Sequence, residues 1–100
     1  MKFKIIKLKQ AEKEIDELSE EQKSALFADY SLIENEDIAF VKRRHLQEEI
    51  FEIKTNDVRS LFKYEENQII IIGLVYEKRT QKAPQYYIKL AKKRLKNVEF

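Results

Sequence analysis

The chain has 100 residues, 43 % of them hydrophobic and 38 % charged, with a formal net charge of +2 at pH 7. This length and composition predict one globular domain, residues 1–100, and argue against intrinsic disorder. With no cysteine and a single histidine, His45, the sequence excludes disulfides, cysteine–zinc sites and histidine-rich metal sites, and no cofactor or metal is expected.

The first eight residues alternate apolar and basic side chains, a pattern typical of a β-strand. They are too alternating and too charged for a signal peptide. The longest apolar run, residues 69–76, is far too short to span a membrane. We therefore expect a soluble, cytoplasmic protein with no membrane partner.

Residues 11–34 carry apolar side chains at helical spacing among acids and lysines. Ser19 and Gln22 have the spacing of a capping box, which predicts that a second helix begins there. The segment is therefore predicted to be a helical hairpin, or one kinked helix, that covers a sheet. Residues 35–49 have no clear period, and their apolar side chains indicate either a loop or a short strand.

Strand patterns return at residue 51. Three predicted strands, residues 51–54, 58–64 and 68–76, are separated by short polar turns. The third is a near-continuous β-branched run, as expected for a central strand that is buried on both faces. Within this run, Gly73 indicates a bulge or a close backbone approach.

The C-terminal part of the chain is predicted to be a helix with a cationic surface. Pro84 suits the first turn of this helix. Residues 78–98 hold eight bases and no acid, whereas residues 9–37 hold ten acids and three bases. The asymmetry favours a side that faces a polyanion, although a solvated helix surface would have the same composition. The predicted order is β-α-α-β-β-β-α, an α+β fold.

The candidate chemistry lies in basic residues around the predicted strand ends. Lys54 and Arg59 flank the turn Asn56-Asp57, so antiparallel pairing would bring them onto neighbouring strands. The next two strands are predicted to pair, so the cations that follow residue 77 could reach the same face. Such a cluster would stabilise a phosphate and the extra charge of a phosphorane-like transition state. In RNA the adjacent 2′-hydroxyl is a built-in nucleophile, so the protein need not supply one.

Each candidate also has an ordinary structural explanation. Lys54 and Arg59 would by default be exposed strand cations, and the cations after residue 77 would belong to a loop. Tyr86 and Tyr87 would both be packing residues. His45 is expected to make a local hydrogen bond rather than to act in catalysis.

Residues 74–95, LVYEKRTQKAPQYYIKLAKKRL, resemble the closing segment of HigB-type toxins in the HigB/RelE superfamily. That segment has an apolar strand, two basic residues, Thr-Gln-Lys, one further residue, a proline and a helix with a basic end. Phe51-Glu52-Ile53-Lys54 and Arg59-Ser60-Leu61-Phe62 resemble two other strands of these toxins. The likeness extends over residues 44–97 and points to the phage-derived branch.

The resemblance implies a RelE-like fold, a small antiparallel sheet flanked by an N-terminal helical hairpin and a C-terminal helix. It implies a ribosome-dependent mRNA endoribonuclease that needs no metal. The implied partners are the ribosome, messenger RNA and a cognate antitoxin, which in such systems is often a helix-turn-helix protein. By resemblance the catalytic residues are Lys54, Arg59, Arg79 and Tyr87. The RNA-binding residues are Lys78, Lys82, Tyr86, Lys89 and Lys93.

Two positions depart from the family pattern. Many relatives have a histidine where this chain has Leu74, and an arginine where it has Lys54. One alternative is therefore a non-catalytic module of the same fold that pairs with a helix-turn-helix regulator. A ParE-type gyrase inhibitor is another, which the basic Thr-Gln-Lys block disfavours by analogy.

Overall fold

A computed structural model describes residues 1–79, 84–96 and 98. Within them the chain forms a five-stranded sheet and three α-helices, which confirms the predicted α+β class. In chain order the elements are β1 (Lys4–Lys7), α1 (Lys9–Asp16), α2 (Glu20–Asn35), a 3₁₀ turn (Ile38–Phe40), β2 (Lys42–Gln47), β3 (Ile50–Thr55), β4 (Val58–Glu65), β5 (Ile69–Glu77) and α3 (Gln85–Leu95). None of the helices in this part of the chain is long and apolar enough to span a membrane.

The strands lie in the order β1-β5-β4-β3-β2. Strands β2 to β5 form an antiparallel meander, in agreement with the predicted hairpins. The sheet was expected to be antiparallel throughout, but strand β1 runs parallel to β5, with Lys4 opposite Ile69. The two helices between β1 and β2 carry the chain across one face of the sheet, so β1 can lie beside β5 in the same direction.

Strand β2 lies in residues 35–49, the segment that the sequence left open between a loop and a short strand. It is an edge strand, and its first four residues, Lys42 to His45, are all exposed. An edge strand without a buried face has no alternation of apolar and polar side chains for a sequence pattern to reveal.

The helices pack on opposite faces of the sheet and create two apolar cores. On one face, α1 and α2 cover a cluster that includes Ile15, Ile33 and Phe62. On the other face, α3 covers a cluster that includes Leu61 and Leu74. Strand β5 contributes to both clusters, as its β-branched composition predicted.

The helical hairpin is confirmed, with α1 ending at Asp16 and α2 beginning at Glu20. The predicted capping box is also present. The Gln22 backbone N–H donates to Ser19 Oγ at 3.1 Å, and the Ser19 N–H donates to Gln22 Oε1 at 2.9 Å. These two bonds satisfy backbone donors that a helix N-terminus would otherwise leave unpaired.

Both structural consequences predicted for Gly73 are found. The β4–β5 register shifts between Leu61 and Phe62, which leaves Gly73 as the extra residue of a bulge. The side chain of Leu95 in α3 lies over the same position, and a Cβ added to Gly73 would come within 2.6 Å of Leu95 Cγ. The missing side chain therefore lets α3 approach β5 closely.

Candidate functional site

A row of polar side chains crosses four neighbouring strands on the face that α3 covers. Lys42 lies opposite Lys54, Lys54 lies opposite Arg59, and Arg59 lies opposite Tyr76. Directly opposed residues of antiparallel strands project from the same face. The predicted neighbouring positions of Lys54 and Arg59 are therefore confirmed.

Beside this row lies a hollow of about 170 Å³ that we call the cationic hollow. It is lined by Lys42, Arg43, Arg44, Glu52, Lys54, Arg59 and Lys78. Six of these seven side chains are basic, and they come from strands β2, β3 and β4 and from the residue after β5. Such a concentration of positive charge in a concave surface favours an anionic ligand.

Arg59 and Glu52 form the buried floor of the cationic hollow, with residue exposures of 7 % and 2 %. One guanidinium nitrogen of Arg59 donates to the carbonyl oxygens of Asn56 at 2.7 Å and Val58 at 3.1 Å. Its Nε lies 3.8 Å from Glu52 Oε1, while Arg44 Nε donates to Glu52 Oε2 at 2.9 Å. The turn and the carboxylate thus hold two guanidinium groups in fixed positions beside the hollow.

Two charged atoms of this floor have no hydrogen-bond partner among the described residues. They are Glu52 Oε1 and Arg59 Nε. These two atoms face each other at 3.8 Å, an ion-pair distance that is too long for a hydrogen bond. Arg59 Nε therefore still has a hydrogen bond to donate, and Glu52 Oε1 can still accept one.

Three tyrosines form a stack that continues the row toward α3. The rings of Tyr76 and Tyr87 are stacked with centroids 4.1 Å apart, and Tyr86 meets Tyr87 edge-on at 5.4 Å. Burial raises the pKa of the Tyr76 phenol, and the Glu52 carboxylate raises it further, so this hydroxyl is protonated at neutral pH. Tyr87 is partly buried in the stack, whereas Tyr86 is largely exposed.

The remaining predicted residues are more dispersed. Arg79 is exposed, and its guanidinium donates to Glu77 at 2.8 Å. It does not line the cationic hollow, where Lys78 is the cation that follows β5. Lys89 and Lys93 are exposed on α3, at a spacing that places them on one side of the helix. Lys82 and the rest of the Thr-Gln-Lys block lie outside the described residues.

His45 and Leu74 provide no acid–base group in the hollow. His45 Nε2 forms a hydrogen bond with the carbonyl oxygen of Glu48, the local contact that was expected. Leu74, at the position where many relatives have histidine, is fully buried in the core under α3. Among the described residues there is no group of three or more histidines or acids that could hold a metal ion.

Sequence reasoning missed much of the lining of the hollow. Lys42, Arg43 and Arg44 belong to strand β2, in the segment that the sequence left open between a loop and a short strand, and their only signal was the basic run 42–45. Glu52 precedes Lys54 by two residues and so shares its face of the strand, a relation that the predicted alternation already contained. Glu52 was not predicted to line the hollow, because acidic side chains on strands are usually exposed.

Two sequence comparisons bear on the identity of the chain. Residues 13–96 match a protein family described as "Phage derived protein Gp49-like (DUF891)". No curated protein matches the chain.

Two solved structures have a similar fold. One is a chain of the toxin–antitoxin complex RelBE2 from Mycobacterium tuberculosis, with a TM-score of 0.62, 13 % identity, and coverage of 78 % of this chain and 100 % of that chain. The other is a chain of the archaeal RelE–RelB complex from Pyrococcus horikoshii, with a TM-score of 0.62, 15 % identity, and coverage of 82 % and 100 %. At these identities the likeness establishes the fold, and it confirms the predicted RelE-like architecture.

Proposed function

Because the chain belongs to the Gp49-like family of phage-derived proteins and has a RelE-like fold, we propose that it is the toxin of a toxin–antitoxin module and cuts messenger RNA on the ribosome. The observation that carries this proposal is the cationic hollow, where six basic side chains surround a space large enough for a phosphate group. The tyrosine stack next to the hollow offers a surface on which a base can lie.

The proposed reaction uses the RNA as its own nucleophile. The 2′-oxygen attacks the adjacent phosphorus, the bond from phosphorus to the 5′-oxygen breaks, and the products are a 2′,3′-cyclic phosphate and a 5′-hydroxyl. One proton leaves the 2′-hydroxyl and one is delivered to the departing 5′-oxygen. The reaction therefore needs neither a metal ion nor a covalent protein intermediate.

Arg59 has the central role in this scheme. Its guanidinium is held by two carbonyl oxygens and by Glu52, so it stabilises the extra negative charge of the phosphorane without having to reorganise. Lys54, exposed on the neighbouring strand, orients the phosphate and the 2′-hydroxyl. Lys78 makes the phosphate contact that the resemblance implied for Arg79, and Arg44 adds a second guanidinium.

The tyrosines and the surface of α3 complete the proposed site. Tyr87 positions a base next to the cleaved phosphate, and Tyr86 extends the stacking surface into solvent. Lys89 and Lys93 bind RNA phosphates through their exposed ammonium groups. A cognate antitoxin, which we propose to be a helix-turn-helix protein, would hold the toxin inactive.

Expression without an antitoxin tests this proposal. We expect the wild-type chain to arrest growth and to produce transcripts cut within ribosome-bound codons. Lys54→Glu should abolish both effects, because it places an acid in the cationic hollow. Lys13→Glu is the matched control, since Lys13 is an exposed lysine of α1 on the opposite side of the sheet, and it should remain toxic.

A folded wild-type protein that leaves growth and translation untouched would contradict the proposal. One observation favours the non-catalytic alternative, namely that Leu74 places an apolar side chain where many relatives have histidine. That alternative predicts binding to an antitoxin without any cleavage of RNA. Stalled replication with intact transcripts would instead identify an inhibitor of the ParE type.

A further inference from the structure

A second concave surface lies next to the cationic hollow, and we call it the Phe40 groove. It has a volume of about 380 Å³ and lies between α2 and the ends of β2 and β3. Its apolar walls are Ala25, Ala28, Phe40 and Val41. Phe40 is 64 % exposed, a high value for a phenylalanine in a globular domain.

The Phe40 groove and the cationic hollow share two lining residues, Lys42 and Lys54. These lysines lie directly opposite each other on β2 and β3. The two concave surfaces therefore adjoin at these lysines, and a ligand whose phosphate occupies the hollow can extend past them into the groove.

The polar groups of the groove indicate what kind of group fits there. Asp29 and Asn56 line it, and Asp29 Oδ2 accepts a hydrogen bond from Thr55 Oγ1 at 2.6 Å. The Asp29 carboxylate can accept hydrogen bonds from the N–H groups on the edge of a nucleobase, and the Asn56 amide can both donate and accept. Lys42 and Lys54, which also line the groove, can bind an adjoining phosphate of the same RNA strand.

We propose that the Phe40 groove is a nucleobase subsite for single-stranded RNA, in which one base lies against the ring of Phe40. This inference rests on the proposed function, because it takes the phosphate in the cationic hollow as its starting point. The RNA then crosses the sheet along the row from Lys42 to Tyr76, with aromatic rings at both ends. At a strand spacing of about 4.8 Å this row is about 14 Å long, which suits an extended strand of RNA.

Binding of short RNA tests the subsite without any need for cleavage. The probes are single-stranded oligoribonucleotides with 2′-O-methyl groups, which remove the nucleophile, and inorganic phosphate as a probe of the hollow alone. We expect Phe40→Ala to weaken RNA binding by about 5- to 150-fold, the range for loss of one base–aromatic stack. Binding of inorganic phosphate should not change, and Phe40→Trp should restore the affinity for RNA.

Phe27→Ala is the matched control, because Phe27 is also exposed, at 46 %, but lies on α2 beside Lys7 and away from both concave surfaces. This variant should bind RNA as the wild type does. An unchanged affinity in Phe40→Ala, or an equal loss in Phe27→Ala, would overturn the subsite while leaving the proposed function intact. The subsite would also be overturned if Phe40→Ala impaired only the binding of a protein antitoxin. A wild-type chain that binds no RNA oligonucleotide would likewise overturn the subsite, whereas a folded wild-type chain that leaves growth and translation untouched would refute the proposed function itself.

Discussion

Lys54 and Arg59 lie opposite each other on neighbouring strands, yet their surroundings differ. Lys54 is exposed, whereas Arg59 is buried against the Glu52 carboxylate. We expect Arg59→Ala to lower the free energy of unfolding by about 3 kcal/mol, because it leaves a buried acid with a weakened partner. Lys54→Ala should change it by no more than about 0.5 kcal/mol.

Urea denaturation of the two variants measures this difference. Equal stabilities would show that Glu52 does not depend on Arg59. The outcome also determines how the toxicity of Arg59 and Lys54 variants is interpreted. A loss of toxicity in an Arg59 variant can reflect unfolding, whereas a loss in a Lys54 variant reports on the site.

The buried phenol of Tyr30 makes the free energy of unfolding decrease at alkaline pH. Burial raises the pKa of Tyr30 above its ordinary value, although a hydrogen bond to Ser60 at 2.8 Å opposes the shift. Above a pH of about 10 the unfolded chain loses a phenolic proton that the folded protein keeps. Stability is therefore complete below that pH and falls as the pH rises further. Tyr76 contributes in the same direction.

Urea unfolding between pH 8 and pH 11, approximately the range that brackets a free phenol, tests this expectation. In Tyr30→Phe the fall in stability with pH should be shallower than in the wild type. The same pH dependence in both proteins would show that the Tyr30 hydroxyl is not responsible.

At the scale of elements, the contact between Gly73 of β5 and Leu95 of α3 makes a prediction about packing. Gly73→Ala should destabilise the fold by about 1–3 kcal/mol, because the new methyl group meets the Leu95 side chain. Leu95→Ala alone should cost about 2–5 kcal/mol through the cavity that it leaves. The double variant should lose less than the sum of the two, since the smaller residue 95 makes room for the methyl group.

A double-mutant cycle measured by thermal or denaturant unfolding gives this coupling directly. If the two losses of stability are strictly additive, the packing of Leu95 in α3 does not depend on the missing side chain at Gly73. The measurement bears on the site as well, because α3 carries Tyr86 and Tyr87.

The elements that the sequence predicted correctly are those with a strong period. Residues 11–34 have the helical spacing of a hairpin, and the run 68–76 has the β-branched composition of a buried strand. Strand β2 lacks such a signal because it is an exposed edge strand. The parallel direction of β1 could not be predicted either, since alternation specifies a strand but not its neighbour.

At the scale of the whole molecule, the distribution of charge matters more than the net charge of +2. The sequence indicated a basic C-terminal part, but half of the cations in the hollow come from β2, which pairing of the strands brings to the site. The pairing of Lys54 with Arg59 could be predicted from one short turn. The contribution of β2 could not, because it depends on the order of strands in the folded sheet.

This arrangement predicts how salt affects RNA binding. The logarithm of the association constant should fall linearly with the logarithm of the salt concentration. Lys54→Ala should reduce the steepness of this line by about 0.7, the value for one phosphate contact on a single strand. Fluorescence anisotropy with the 2′-O-methyl RNA measures the slope. Lys13→Ala should leave it unchanged, and a slope reduced equally by both substitutions would indicate diffuse attraction rather than a site.

The parallel pairing of β1 with β5 has a consequence for the newly made chain. Four consecutive isoleucines, Ile69 to Ile72, form the part of β5 that β1 covers, and β1 comes from the opposite end of the sequence. Contacts between distant segments form late in folding, so this isoleucine edge is open to other chains in the meantime. An open, uncharged edge of this kind promotes aggregation. In the folded protein the short strand β1, which carries Lys4 and Lys7, replaces this isoleucine edge with an edge that bears charge.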